Sequence, residues 1–318
     1  MKSRARMRLA SLLLTLLCAC AGPRAIPHAA PDGGATETDG AATTDAGPPP
    51  PPRDAGELEA CRAVDVLFVV DNSGSMADQQ ASLIASFPGF VRGMREHLAS
   101  APSFHVGVVT SDAYRGNEAG CTDIGDLVTT TGGPASSGRA CGPFASGARY
   151  LTDGEPDLDG RFACIAQVGT GGDDDERVAR ALLGAVSPAR NAPGACNAGF
   201  VRPDSLLVIV IISDEDDVRD GCTTESGFER CLSYGSGGLP DDWFAELSAH
   251  RDPASVVVLS LIGRRAGNPC GAVVASRLLG FARRFGDNGY VGDVCASSYD
   301  AFFREALPVI GNACVNLI

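Results

Sequence analysis

From about Glu57 to Ile318, short apolar runs alternate with segments whose apolar residues recur every three or four positions. That order predicts a doubly wound α/β domain, a mostly parallel sheet with helices on both faces. Val64 to Val70 reads as the first strand. Ala77 to Ala99 follows as an amphipathic helix, with Leu83, Ile84, Phe87, Phe90, Val91, Met94 and Leu98 at helical spacing. Phe104 to Thr110 is a second strand, and Arg177 to Val186 a helix. The runs "SLLVIVIIS", Ser205 to Ser213, and "SVVVLSLIG", Ser255 to Gly263, are near-continuously apolar, as strands buried on both faces must be. Asp241 to His250, Val273 to Phe285 and Tyr299 to Val309 complete the helices.

Two regions break this rhythm. Residues 111 to 169 are Gly-rich and hold three cysteines; they read as an elaborated insertion at the sheet edge, stapled by disulfides, with a hairpin around Arg149 to Leu151 and Arg161 to Gln167. Residues 20 to 56 are Ala, Gly, Pro, Thr and Asp with almost nothing to bury, which predicts a disordered tether. Its roughly 36 residues span about 35 Å as a flexible coil, more with the proline run.

The chain opens with Lys2, Arg4, Arg6 and Arg8 ahead of a short apolar run, Leu9 to Leu17, an export signal too short to span a bilayer. Leu17, Cys18, Ala19 and Cys20 resemble a bacterial lipobox, which implies cleavage after residue 19 and lipidation of Cys20. Ala21 behind that cysteine, by resemblance to enterobacterial lipoproteins, implies the outer membrane of a Gram-negative envelope. Removing four basic and no acidic residues takes the net charge from −13 to −17, which excludes a surface built for nucleic acid or anionic lipid headgroups. Cations are the charged partners it favours.

Of the 12 cysteines, ten lie beyond residue 20, and an even number in an exported chain implies disulfides. No C-x-x-C pair occurs among those ten and the chain has 4 His, so zinc is disfavoured. Spacing does not dictate the pairing. Nearness in sequence suggests Cys121 with Cys141, Cys164 with Cys196, Cys222 with Cys231 and Cys270 with Cys295, with Cys61 and Cys314 clasping the ends.

The first strand runs into "DNSGSM". In an extended loop alternate residues point the same way, so Asp71, Ser73 and Ser75 can converge on one point just beyond the carboxyl end of a strand, where ligands of doubly wound sheets sit. The second central strand ends at "IISDEDD", placing Asp214 at the equivalent lip, and "VGTGGDDDERVARALL" brings Thr170 and the run Asp173 to Glu176 to the start of a helix. Such hard oxygen donors suit Mg²⁺ or another hard divalent cation such as Ca²⁺ or Mn²⁺. No GxxxxGK[ST] sequence supports a phosphate cradle instead.

With these residues the chain resembles the von Willebrand factor type A domain family. "DNSGSM" after an apolar strand matches that family's D-x-S-x-S metal-ion-dependent adhesion site, and Asp214 after "VIVIIS" matches its distal aspartate, over about residues 60 to 315. The resemblance implies a Rossmann-like sheet and a Mg²⁺ held by the hydroxyls of Ser73 and Ser75, with Asp71 and Asp214 contributing directly or through water. It implies that a partner protein's Asp or Glu carboxylate completes the shell. One departure stands out: the family supplies a Thr at the third loop, but Thr170 lies several residues ahead of the helix, so Asp173, Asp174 or Asp175 can take its place.

Glu215, Asp216 and Asp217 read as a solvated acidic loop, and Ser111 and Asp112 as a strand-ending turn. "EPDLDG", Glu155 to Gly160, opens like a calcium loop but has Ala166 where the twelfth position needs an acid, so it reads as a turn. The four His are scattered, and no G-x-S-x-G or H-E-x-x-H occurs. The sequence therefore points to a lipid-anchored, cation-dependent protein-binding module and not to an enzyme. The alternative is an envelope scaffolding protein whose metal site is merely stabilising or absent.

Overall fold

The computed structural model describes residues 61–98, 103–132, 138–217, 221–225, 228–232 and 235–317, with backbone alone at 221–225 and 228–232. The leader, Cys20 and the tether lie outside the described residues.

Strands β1 (Ala63–Val70), β2 (Ser103–Thr110), β6 (Leu206–Ser213), β9 (Val256–Ile262) and β10 (Gly289–Asp293) form a parallel sheet, which the two-residue β5 (Leu151–Thr152) extends antiparallel to β2. The order is β10-β9-β6-β1-β2-β5. Helices cover both faces, and strand alternation decides which residues meet which layer. Val64, Val66, Phe68 and Val70 of β1 face a core with α1 (Ala77–His97), α2 (Leu158–Ala166) and α7 (Asp300–Val315). Leu67 and Val69 face the opposite core, with α3 (Val178–Val186), α5 (Pro240–Ser248) and α6 (Ser276–Arg283). β6 divides the same way, which is why both strands read as unbroken apolar runs. The short α4 (Pro188–Asn191) follows α3, and the small ladders β3 (Thr130–Thr131) with β4 (Arg139–Ala140) and β7 (Gly221–Glu225) with β8 (Phe228–Leu232) lie outside the main sheet.

The chain leaves β1 for β2 on one side and returns to β6 on the other, so the crevice between β1 and β6 is the switch point of the sheet. α1 and α7 pack closely against each other: a Cβ on Gly93 would stand 2.3 Å from Leu307 Cδ1, so a larger residue there would have to displace the Leu307 side chain.

Two expectations are corrected, and one strand is found that the sequence did not suggest. The residues expected as the second arm of a hairpin, Arg161 to Gln167, belong mostly to α2: Asp157 accepts a hydrogen bond from Gly160 N at 3.2 Å, and Leu158, Phe162 and Ile165 keep a helical spacing on the core side. The turn expected at "EPDLDG" is thus the N-cap of this helix. β10 is not legible in the sequence because its residues, GYVGD, are half-buried and glycine-rich; Gly292 is needed where a Cβ would lie 2.4 Å from Phe302 Cδ2. α7 continues past Val309 because Ile310, Ala313 and Cys314 prolong its buried face.

Cys61 is bonded to Cys314 and Cys270 to Cys295. The other two expected pairs exchange partners: Cys121 bonds Cys196, and Cys141 bonds Cys164. The helix α2 carries Cys164 to β4, beside Cys141. Asn197 draws the Cys196 loop onto the Cys121 loop, accepting from Leu127 N at 3.0 Å and donating to Gly125 O at 2.8 Å. The hairpin register sets Cys222 opposite Cys231, whose side chains are outside the described residues.

Candidate functional site

The site begins one residue beyond β1. Asp71 N donates to Ile212 O at 3.0 Å, carrying the β1–β6 ladder to the lip of the sheet. The Asp71 carboxylate is fully buried; Oδ1 accepts from Ser73 N at 2.8 Å and Oδ2 from Ser213 Oγ at 2.6 Å. The first of these bonds is an Asx turn, which bends the chain so that the Ser73 and Ser75 hydroxyl oxygens come within 3.4 Å of each other. Ser73 is buried and Ser75 exposed, so the pair opens to solvent on the Ser75 side.

The third loop is tied to this turn on both sides of Thr170. Gln80 Nε2 donates to Asp71 O at 3.2 Å and to Gly169 O at 2.7 Å, while its Oε1 accepts from Gly169 N at 3.2 Å. Gly172 N donates to Asn72 O at 2.9 Å. Thr170 is half-buried between these tethers. Asn72 is held in turn, donating to Asp112 Oδ1 at 3.1 Å and accepting from Ser111 Oγ at 3.3 Å, so Ser111 and Asp112 brace the site beyond ending a strand.

The acidic run after β6 is not the solvated loop expected from its composition. Asp216 caps α6, accepting from Arg277 N at 3.0 Å and Leu278 N at 3.1 Å. Asp217 receives Ala179 N of α3 at 2.8 Å and Ser236 N at 2.8 Å. Helix N-termini supply unpaired N–H groups and a positive dipole end, which is why these acids turn inward. Asp214 is different. It is 4% exposed, its carbonyl accepts from Val273 N at 2.7 Å, and its Oδ1 has no hydrogen-bond partner among the described residues.

The acids considered for the third loop stay outside. Asp173 and Asp175 pair with Arg177 at 3.8 Å and 3.2 Å, and Asp174 is exposed. Asp174 reaches the site only through its charge, which bears on Glu215. The acid that turns in is Glu176, which is 1% exposed with neither carboxylate oxygen hydrogen-bonded among the described residues. No periodicity marks it in the sequence, because Glu176 precedes Arg177, the N-cap of α3.

The electrostatics are those of uncompensated negative charge. Burial, then the Asp71 charge, push the Glu176 pKa up to about 10, with Glu215 and Asp112 acting in the same direction. The Ser111 hydroxyl opposes this, but its one proton cannot serve Glu176 and Asn72 together. Burial raises Asp71 as well, and the Asp214 charge adds to it. Glu215 is raised by burial and then by Asp71 and Asp214; the buried Tyr299 hydroxyl is raised by burial and then by Asp214. No cationic side chain figures among these causes. Among the described residues no three His, Cys, Asp or Glu side chains are grouped to hold one ion. The donors that fit a hard divalent cation are therefore a mixed set: the hydroxyls of Ser73 and Ser75 with the carboxylates of Asp71 and Asp214, and Glu176 as nearby charge. The unpartnered Asp214 oxygen is the member that asks for one.

No family model and no curated protein matches the chain. Among solved structures, proximal thread matrix protein 1 of the mussel byssus is similar at 14% identity and a TM-score of 0.41, over 79% of this chain and 49% of that one. A second structure of the same protein gives 12% identity and a TM-score of 0.38, over 79% and 48%. This chain thus spans about half the length of that protein. No described helix is long and apolar enough to cross a membrane.

Proposed function

We propose that this chain is an adhesion-type module of the von Willebrand factor type A kind, which binds a divalent cation, Mg²⁺, Ca²⁺ or Mn²⁺, at the β1–β6 lip and through it a carboxylate of a partner protein. The observation that carries this is the buried Asp214 Oδ1 with no donor among the described residues, its charge acting on the buried Asp71 whose turn carries Ser73 and Ser75. A buried carboxylate oxygen without a partner is costly, and a cation offsets that cost. Ser73, Ser75 and Asp214 would hold the ion, with Asp71 placed directly or through water. The exposed Ser75 side leaves room for an incoming acid. The leader supports anchorage through a lipid on Cys20 in an oxidising envelope compartment, the outer membrane, with the tether holding the domain off the surface.

One observation favours the alternative of an envelope scaffold with a purely stabilising ion. Both Asp71 oxygens already have donors, so the turn is built without help. Calorimetric titration of the oxidised protein with the three cations, beside Ser75→Ala and Asp214→Asn, tests the reading. One saturable site in the wild type, weakened in the first variant and lost in the second, is the expected result. Equal binding by folded Asp214→Asn would refute it. An ion that raises stability without changing partner capture would favour the scaffold.

A further inference from the structure

The loop from Gly263 to Ala275 joins β9 to α6 at the carboxyl end of the sheet, yet its charge is the reverse of its neighbours'. Acids mark the chain just past β1 at Asp71, past β2 at Asp112 and past β6 from Asp214 to Asp217. This loop has no Asp or Glu, and its two cations, Arg264 and Arg265, are exposed with no ion pair among the described residues. Its apolar residues are turned out as well. Val273 is 53% exposed and Val274 40%, and no other two chain neighbours among the described residues expose large apolar side chains together.

A loosely held loop could expose such residues by default, but this one is tied along both arms. Ala275 N donates to Gly263 O at 2.9 Å, and Val273 N to Asp214 O at 2.7 Å. Asn268 Nδ2 crosses the loop, donating to Arg265 O at 2.8 Å and to Ala272 O at 2.6 Å, and the Cys270–Cys295 bond anchors the turn between them. The arms touch: a Cβ on Gly263 would stand 1.9 Å from Val273 O. The two arginines on one arm and the two valines on the other therefore belong to a single preformed platform, which can bind without first being ordered.

We propose that this platform docks an acidic segment of a partner protein, one in which an apolar side chain lies between two carboxylates. Arg264 and Arg265 meet the carboxylates, whose two oxygens match the guanidinium fork. Val273 and Val274 take the apolar side chain, which removes from water the surface they now leave in it. Charge complementarity selects this occupant. The chain as a whole carries −13, so its field repels an acidic segment except where unpaired cations reverse it, and that contrast fixes where the segment lands. Two arginines fall short of the roughly four to eight basic residues that hold a protein to an anionic membrane. The contact needs no cation. It lies beside the proposed cation lip, through the bond from Val273 N to Asp214 O, without forming part of it.

The test is fluorescence anisotropy of labelled, blocked Gly/Ser peptides on the oxidised protein in chelator, where the cation lip takes no part. The peptides carry a Leu between two Glu at a range of short spacings; counterparts replace both Glu with Gln, or Leu with Ser. At the best spacing the Glu peptide should bind about tenfold tighter than its Gln counterpart, the effect of two surface ion pairs, and should lose that margin in concentrated salt. Over its Ser counterpart it should gain about fivefold from apolar burial. Arg264→Gln with Arg265→Gln should abolish the preference for Glu, and Val273→Ser should reduce the preference for Leu. Urea unfolding should not change in either variant, because all three side chains are exposed. Absence of peptide binding, equal binding of the Gln counterpart, or a preference for Glu that survives in the double arginine variant overturns the assignment. So does binding that appears only with Mg²⁺, which would belong to the cation lip. Capture of phosphatidylglycerol vesicles through the same arginines, with no peptide bound, would overturn the protein partner in favour of a membrane.

Discussion

Glu176→Gln separates the charge of the site from its shape. The side chain is 1% exposed, neither oxygen has a hydrogen-bond donor among the described residues, and its pKa rises from 4.5 to about 10 through burial first and the Asp71 charge second. A carboxyl whose folded-state pKa lies above its unfolded one supports folding fully below the unfolded value, and that support is lost as pH rises toward the folded value. The window here runs from about pH 4.5 to about pH 10. At about 1.4 kcal/mol per pH unit, holding Glu176 protonated near pH 7.5 costs about 4 kcal/mol relative to pH 4.5. Relaxation that admits water at the head of α3 halves this to about 2 kcal/mol. Glutamine has the shape of the protonated acid and takes up no proton. In chelator, Glu176→Gln should therefore be more stable than the wild type by about 2 to 4 kcal/mol near pH 7.5, and equal to it near pH 4.5. Urea unfolding at the two pH values, with unchanged m, measures this. Saturating Mg²⁺ should narrow the gap, because the ion offsets the ionised form in the wild type. A variant less stable than the wild type in chelator near neutrality, or an equal difference at both pH values, would refute the picture of a buried, unpaired acid.

Gly172→Ala should weaken cation binding and lower stability by about 1 to 3 kcal/mol, since its Cβ would stand 2.6 Å from Asn72 Cγ and 2.8 Å from Asn72 O. Unchanged cation affinity in a titration of that variant would show that the third loop plays no part. Removing the Cys121–Cys196 bond, which closes a separation of 75 residues, should cost about 4 kcal/mol, against about 3 kcal/mol for Cys141–Cys164 with its 23; non-reducing peptide mapping checks the pairing and urea unfolding the order. Ser260→Ala should stabilise by about 1 kcal/mol and raise Tm by about 2 to 4 °C, because the Ser260 hydroxyl is fully buried in β9 with no hydrogen-bond partner among the described residues.

The central strands and their flanking helices are legible because each has a strong period and enough length to average over exceptions. β1, β6 and β9 lie within a residue or so of their expected limits. Shorter elements carry less signal. α2 spans nine residues, and its apolar stripe passes for strand alternation unless Asp157 is read as a cap; β10 has two glycines in five residues. Asp71, Ser73, Ser75 and Asp214 can be placed at one lip because parallel neighbours in register end together: Val70 of β1 stands opposite Ile212 of β6. Burial within an acidic run cannot be read in that way. The sequence does not say which of Asp173 to Glu176 turns inward, because the choice depends on Arg177 holding two of them at the surface. The disulfide exchange has the same origin, since nearness in sequence carries no information about which loop Asn197 pulls against which.

The run Asp214 to Asp217 shows how the site is joined to the rest of the domain. Asp216 and Asp217 bond to the first turns of α6 and α3, and the Asp214 carbonyl holds the loop leading into α6. All three contacts fix the β6 lip to one layer of helices, because α3 and α6 pack against the same face of the sheet. The Asp71 to Ser75 turn runs instead into α1, which belongs to the opposite layer. The donors proposed for the cation therefore come from both layers: Ser73 and Ser75 from one, Asp214 from the other. What joins the two lips directly is the bond from Asp71 N to Ile212 O and that from Ser213 Oγ to Asp71 Oδ2. An ion between Ser73, Ser75 and Asp214 would add a strong electrostatic link across that seam and relieve the repulsion that Asp71, Asp214, Glu215 and Glu176 impose on one another. If the proposed cation binds there, its affinity should depend on the packing of both helical layers as well as on the donors themselves.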